Sequence, residues 1–214
     1  MVAKSGKPFR ARVVSNVKLT EGYYLMRFES PGFYLEASPG QFLMLRTDMR
    51  EAPLLSRAFS ICSVSKKGDV VTCSVLYRLV GITTELMSMK KEGDFVYILG
   101  PLGRGFDLTG GFGKAVLVSG GTGIAPILFL SHTLSSRPGT EVKLYYGARS
   151  AGELAGLGLF ADSRINLKVC TDDGSAGERC AVTVLLEKDL GSLESRETAV
   201  FACGPVPMLK SLKR

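Results

Sequence analysis

Hydrophobic and polar positions change rhythm about halfway along the chain. Phe9–Val17, Tyr23–Glu29, Phe42–Arg46, Arg57–Ser63, Val70–Arg78 and Phe95–Leu99 are short runs rich in Val, Tyr, Phe and Leu, separated by Gly, Pro, Ser and Asp. This spacing predicts six strands of a small antiparallel barrel, with one helix among them at about Thr83–Lys90. Apolar runs then appear at Ala115–Ser119, Val142–Tyr146, Ile165–Cys170 and Ala199–Cys203. Helical stretches lie between or after them, near Ala125–Leu134, Glu153–Phe160, Ala181–Leu190 and Pro207–Lys213. Alternating strands and helices predict a parallel sheet covered on both faces. The expected fold is an N-terminal antiparallel β-barrel followed by a C-terminal α/β parallel-sheet nucleotide-binding domain. A glycine-rich connector from Leu99 to Lys114 marks the boundary, giving domains 1–105 and 106–214.

Composition narrows the classes. The 214 residues are 45% hydrophobic and 22% charged, an ordinary globular mix that excludes disorder and coiled coil. The longest stretch without a charged residue, the 22 residues Ala115–Ser136, holds a glycine turn and a proline, so it reads as strand, turn and helix and not a membrane span. The basic N-terminus lacks the apolar run of a signal peptide, which makes a cytoplasmic protein the expectation. The net charge of +7 is scattered, +5 over residues 1–111 and +2 over 112–214, with no basic stripe of the kind that binds nucleic acid.

Five cysteines at 62, 73, 170, 180 and 203 form no CxxC pair, which argues against a zinc site or a disulfide framework. Cys62, Cys73, Cys170 and Cys180 read as fillers of core or surface. The single histidine, His132, reads as structural and leaves no partner for a Ser-His-Asp or Cys-His arrangement. Tyr145 and Tyr146 read as strand packing.

The most informative segment is AVLVSGGTGIAPI. A buried strand runs into Gly120, Gly121, Thr122 and Gly123, and Pro126 follows in the first turn of a helix. Glycines allow a sharp turn and close backbone approach, and a helix start offers free N–H groups to a phosphate. The spacing is GGxGxxP, only loosely like the Rossmann pattern, and no GK[ST] marks a P-loop. The other strand ends, at Gly147–Ser150, Thr171–Ser175 and Cys203–Pro205, are small or polar and are expected to border the same crevice. Asp172 and Asp173 would accept hydrogen bonds from an adenosine ribose and repel a 2′-phosphate, whereas Arg149 pulls the other way. NADH is therefore favoured over NADPH. Cys203 reads as a pocket-lining group and not a nucleophile, since no base accompanies it.

In the first half, RAFS at Arg57–Ser60 sets an arginine, an aromatic and a hydroxyl together, and LYRLVGITT follows at Leu76–Thr84. With GPLGRGF, GGTGIAPI, TDDGSAG and ACGPVPMLK these make six strings in one order over nearly the whole chain. Together they resemble the ferredoxin–NADP reductase superfamily, and within it the electron-transfer subunits of type B dihydroorotate dehydrogenases.

That resemblance implies FAD in the barrel. Arg57 would pair with its diphosphate, the Ala58 backbone and the Phe59 ring would pack against it, and Ser60 would hydrogen-bond the flavin. Leu76, Tyr77 and Arg78 would line the cofactor, and Gly81, Thr83 and Thr84 would hold the diphosphate. In the second domain Gly120, Gly121, Thr122 and Gly123 would admit the NADH pyrophosphate, with Arg149, Asp172 and Asp173 near the ribose. Cys203 and Gly204 would border the nicotinamide. Catalysis would need no side-chain acid or base, Ser60 and Cys203 being nearest the reacting rings. The implied partner is a dihydroorotate dehydrogenase catalytic subunit in pyrimidine biosynthesis, with no nucleic acid and no membrane.

One departure stands out. The resemblance implies a [2Fe–2S] centre held by a cysteine cluster beyond the CGPxPM string, and this chain ends at Arg214 with only Cys203 nearby. No metal ligands are assigned in this chain. Either the cluster is lacking or the chain is shortened. Two other readings share the sequence evidence: a free-standing NAD(P)H–flavin or ferredoxin reductase or a subunit of another redox complex, and a non-catalytic nucleotide-sensing module.

Overall fold

The computed structural model describes residues 8–48, 55–160, 164–189, 191 and 197–213. The chain divides into two compact units, Met1–Gly105 and Phe106–Arg214.

The first unit is a closed barrel of β1 (Phe9–Thr20), β2 (Tyr23–Ser30), β3 (Phe42–Arg46), β4 (Arg57–Lys67), β5 (Val70–Arg78) and β6 (Phe95–Leu102), in the order β1-β2-β5-β4-β3-β6. Every pairing is antiparallel, and β6 closes the ring by pairing with β1. Closure removes the free edges that a six-stranded sheet would otherwise expose. The period-two pattern decides which side chains enter. Leu43 and Leu45 of β3 and Val96 and Ile98 of β6 are at most 1% exposed, while their sequence neighbours are half-buried. The chain reverses between β4 and β5 at Gly68, whose φ of 60° suits a residue without Cβ.

A helix, α1 (Ile82–Ser88), follows β5. It is fastened to the barrel by Asn16, whose Nδ2 donates to the carbonyls of Met87 and Lys90 at 2.8 and 3.0 Å. The Met87 carbonyl also accepts from Lys90 N at 3.0 Å, so Asn16 reinforces the turn that ends the helix. Tyr77 Oη in turn donates to Asn16 Oδ1 at 3.0 Å. Between β2 and β3 a short 3-10 helix, Gly32–Glu36, carries the buried Tyr34.

The second unit is a five-stranded parallel sheet. Its strands are β7 (Lys114–Gly120), β8 (Glu141–Ala148), β9 (Ile165–Thr171), β10 (Glu178–Arg179) and β11 (Thr198–Cys203), ordered β10-β9-β8-β7-β11. Val116, Val118, Tyr145 and Cys170 face α3 (Val182–Glu187), packing with Val182, Leu185 and Leu186, and Met208 of α4 (Val206–Ser211) joins them. Alternation turns Leu117 and Leu144 to the other face, where α2 (Ile124–Ser135) contacts β7, β8 and β11. Among the described residues no helix is long and apolar enough to cross a membrane. The uncharged run Ala115–Ser136 is β7, its turn and the 12-residue α2.

Two elements depart from the sequence pattern. The helix expected at Glu153–Phe160 is absent; the chain instead makes 3-10 turns at Ala151–Glu153 and Leu157–Phe160. Gly156, at φ 80°, interrupts the helical backbone between them. The apolar spacing that suggested a helix buries Leu154, Ala155 and Phe160 from irregular backbone instead. The two-residue strand β10 is polar and exposed, so it carries no hydrophobic periodicity to announce it. In the helix expected at Ala181–Leu190, Leu190 lies outside the described residues.

Asp189, just past α3, ties that helix to the sheet. Its Oδ2 accepts from Tyr145 Oη and from Lys168 Nζ, each at 2.6 Å. A carboxylate near a helix C-terminus is disfavoured by the helix dipole, and these two donors offset that. They hold the Asp189 carboxyl below its ordinary 3.8, and burial first, then the Asp189 and Glu141 carboxylates, pushes the Tyr145 phenol well above its own. A group whose folded pKa is lowered stabilises the fold above its unfolded pKa, and that contribution is lost as pH falls through the lowered value. Tyr145→Phe is expected to destabilise the protein by about 1 kcal/mol in urea unfolding at neutral pH. Below pH 3.8 the wild type should lose stability more steeply than the variant.

Candidate functional site

The sequence expectations fall on one surface of each unit. In the barrel, Arg57 and Ala58 at the start of β4 are exposed, and Phe59 and Ser60 are half-buried. Register sets Phe59 opposite Leu43 and Arg57 opposite Leu45, so these two share the side of the core leucines, and Ala58 and Ser60 lie on the opposite face. The Phe59 ring meets the edge of Tyr77, centroids 6.2 Å apart, and Tyr77 stacks on Tyr24 at 5.6 Å. The Arg57 guanidinium donates to the carbonyls of Leu55 and Ser56 at 3.3 and 3.5 Å. Among the described residues no ion pair of Arg57 with a carboxylate is recorded, so its charge is open to an anion.

Leu76 and Tyr77 are only 4% and 2% exposed. Both side chains are buried, and Tyr77 supports Phe59, whereas Arg78 beyond them is exposed. At the start of α1, Thr84 Oγ1 accepts from the N–H groups of Val80 and Gly81 at 2.9 and 3.2 Å and donates to the Gly81 carbonyl at 2.8 Å. Its hydroxyl is thereby occupied in shaping the turn. Thr83 Oγ1 is buried with no partner, and Gly81 faces open space.

In the second unit the carboxyl ends of β7 and β11 meet. The sequence order reverses across β7, with β8 on one side and β11 on the other; parallel sheets bind ligands at such a switch point. The glycines there have different duties. A Cβ on Gly123 would run into the Cys203 carbonyl oxygen and lie 2.9 Å from Gly204 Cα. Gly123 therefore permits α2 to start against the end of β11. Gly120 and Gly204 pack under Met208, whose Sδ would lie 2.9 Å from a Cβ on either. Gly121 differs, having φ 55° and nothing within 4 Å of a Cβ position. It is the open residue of the turn, next to the exposed Thr122.

Beneath that turn, Tyr146 Oη points at the Gly121, Glu153 and Ala155 carbonyls from 3.5, 3.4 and 3.3 Å. Ser119 Oγ, one residue before the glycines, is wholly buried without a hydrogen-bond partner. Neither Tyr146 nor Ser119 nor Met208 drew a functional reading from the sequence. A polar residue closing an apolar strand was the only available signal for Ser119.

At the end of β9, the exposed Asp173 accepts at Oδ1 from Ser175 N and Oγ at 2.9 and 2.6 Å, which holds its carboxyl below the ordinary range. The Ser175 hydroxyl accepts from Ala151 N at 2.7 Å. Backbone bonds from Asp172 to Ala148 and from Asp173 to Arg149 lay this turn over the end of β8. The Asp172 and Arg149 side chains are exposed. Cys203 is half-buried and burial pushes its thiol up, away from nucleophilic behaviour. His132 stacks on Phe160 at 6.3 Å, away from the glycine turn's open side, and burial lowers its pKa. Among the described residues no group of three His, Cys, Asp or Glu side chains could hold a metal ion.

A family model described as an oxidoreductase NAD-binding domain matches residues 117–214. The dihydroorotate dehydrogenase B (NAD(+)) electron transfer subunit of Desulforamulus reducens is 36% identical over 96% of this chain and 77% of its own length. That of Caldanaerobacter subterraneus is 34% identical over 95% and 75%. Among solved structures, an NADH-dependent reduced ferredoxin-NADP oxidoreductase studied for flavin-based electron bifurcation superposes with a TM-score of 0.79. It is 29% identical, over 96% of this chain and 71% of that one. A Neisseria gonorrhoeae ferredoxin NADP+ reductase with bound FAD and NADP superposes with a TM-score of 0.74 at 20% identity, over 97% and 89%, which speaks to fold alone.

The two kinds of glycine are separable by mutation. Gly123→Ala should destabilise the protein by about 3 kcal/mol through overpacking against backbone that cannot move. Gly121→Ala has only the left-handed backbone to strain and should lose about 1 kcal/mol. Thermal unfolding of the two variants measures the difference.

Proposed function

The chain belongs to the family of dihydroorotate dehydrogenase B electron-transfer subunits, and on that premise we propose that it is an FAD-dependent oxidoreductase subunit passing electrons between NAD(H) and a partner dihydroorotate dehydrogenase. The observation that carries the nucleotide half is the open, positive-φ Gly121 between the buried end of β7 and the start of α2. A phosphate can approach backbone there that any side chain would cover, next to N–H groups at the helix start. Asp172 accepts from a ribose hydroxyl and disfavours a 2′-phosphate, which agrees with the NAD(+) in the names of the relatives. Asp173 keeps the turn in shape through Ser175, Arg149 lies beside it, and Cys203 and Gly204 border the nicotinamide end.

FAD fits the barrel surface. Arg57 offers a guanidinium without a carboxylate partner among the described residues, suited to bidentate contact with a diphosphate. Ala58 presents backbone, Phe59 a half-buried ring fixed from beneath by Tyr77, and Ser60 a hydroxyl. Arg78, Gly81 and the unpartnered Thr83 hydroxyl complete the cradle, with Thr84 and Leu76 shaping it. When bound, the flavin supplies the redox chemistry, exchanging a hydride with nicotinamide and releasing electrons singly or in pairs. The chain's own residues bind and orient. The described residues offer no ligand set for an iron–sulfur group. A cytoplasmic location is part of the same reading.

A free-standing flavin reductase is the second reading, favoured by the similarity to an NADH-dependent ferredoxin-NADP oxidoreductase. Co-expression with a dihydroorotate dehydrogenase catalytic chain separates the two: a stable co-purifying complex supports the subunit, and two independently eluting proteins support the reductase.

The purified protein should show flavin absorption bands that bleach on anaerobic addition of NADH. A colourless protein that neither takes up FAD nor oxidises NADH would overturn the proposal in favour of a nucleotide-sensing module. Arg57→Ala should weaken FAD binding by roughly 10- to 100-fold in a fluorescence titration, the loss expected for charge-assisted hydrogen bonds worth about 1.5–3 kcal/mol.

A further inference from the structure

We propose that Cys170 and Cys180 form a peroxide-sensitive thiol pair, a modification site on the edge of the parallel sheet that closes to an intramolecular disulfide. The placement follows from the turn between β9 and β10. Gly174 N donates to the Thr171 carbonyl at 3.2 Å, and Ala176 N to Thr171 Oγ1 at 3.0 Å. Gly177, at φ 64°, sits so close to Val169 that a Cβ there would strike the Val169 carbonyl. The chain thus doubles back directly onto β9, and β10 pairs Glu178 with Cys170 and Arg179 with Thr171. One residue further, just past the strand, lies Cys180, two past the partner of Cys170.

Both thiols join one apolar cluster. Cys170 is fully buried among Val116, Val118, Tyr145 and Val182, and Cys180 packs against that cluster while remaining partly exposed. Both side chains thus border the same apolar space at the sheet edge. Burial first, then Cys180 and the nearby Asp172 and Glu178, push the Cys170 thiol up to about 12. It is therefore the poorer first nucleophile, and the reachable Cys180 reacts first. Closing a disulfide brings the two Cα atoms within about 7 Å, which calls for a backbone shift. The two-residue β10 can supply it, because only two register pairs hold it to β9.

The oxidant is hydrogen peroxide. The Cys180 sulfur, as thiolate, attacks one peroxide oxygen and the O–O bond breaks. Cys180 becomes a sulfenic acid, and the departing hydroxide takes a proton to become water. Cys170 sulfur then attacks Cys180 sulfur; the S–S bond forms, the S–O bond breaks, and hydroxide leaves with the Cys170 proton as a second water. Two thiols have given two electrons and two protons to one peroxide. The remaining cysteines differ in kind. Cys62 and Cys73 are sealed in the barrel, where burial pushes the Cys62 thiol up to about 12 and Cys73 higher, and Cys203 belongs to the glycine turn.

Peptide mapping tests the pair. The full chain is treated with hydrogen peroxide, alkylated in denaturant and digested with trypsin. Cleavage after Lys168, Arg179 and Lys188 puts Cys170 on residues 169–179 and Cys180 on residues 180–188. The expected product is these two peptides linked, lighter than their sum by two hydrogens and separated by a reductant. In Cys170→Ser, Cys180 should instead gain oxygen atoms; in Cys180→Ser, Cys170 should stay alkylable. The proposal is overturned if wild-type Cys180 gains oxygen without the linked pair. It is overturned equally if Cys180 stays fully alkylable, or if it links to any other cysteine or to a second chain. None of these readouts depends on whether the protein binds FAD or NADH.

Discussion

The start of α2 and the end of β11 can touch only because Gly123 has no side chain. Its Cβ would occupy the space of the Cys203 carbonyl. That contact brings GGTG and CGPVPM, eighty residues apart, to one strand-end crevice. Met208 then covers Gly120 and Gly204 from the α4 side, and Tyr146 reaches the turn from β8. With its neighbours held this way, Gly121 can keep a positive φ beside open space. The candidate nucleotide surface is a by-product of tight backbone packing around it.

The barrel arrives at a comparable arrangement by other means. Asn16 links the end of α1 to Tyr77, and Tyr77 braces Phe59. A chain of contacts therefore runs from a helix end to the ring most exposed at RAFS. The exposed groups, Arg57 and Ala58, sit on the rigid β4 strand, where positioning is better than on a loop.

Several residues named for a ligand also have structural duties. Thr84 closes the turn before α1, Asp173 shapes the turn after β9, and Leu76 and Tyr77 are interior. A one-dimensional pattern cannot separate a hydroxyl that faces a ligand from one that caps a helix, since both favour Thr after Gly at a helix start. The same ambiguity explains Glu153–Phe160. Leu154, Ala155 and Phe160 needed burial, and helical spacing was one way to provide it. Gly156 at φ 80° allowed another.

By itself the sequence determined the six barrel strands, the parallel strands β7, β8, β9 and β11, the strand–glycine–helix turn and the family, because each rests on local periodicity or on a contiguous string. Phe42–Arg46 and Val70–Arg78 match the observed strands end to end. The tertiary structure alone decided which glycines pack and which stays open, which hydroxyls are occupied, and that Cys170 and Cys180 border one apolar cluster. Those outcomes depend on which backbone lies within a few ångströms of a given Cβ. Contacts between residues as distant as Gly123 and Cys203 leave no periodic trace in either segment.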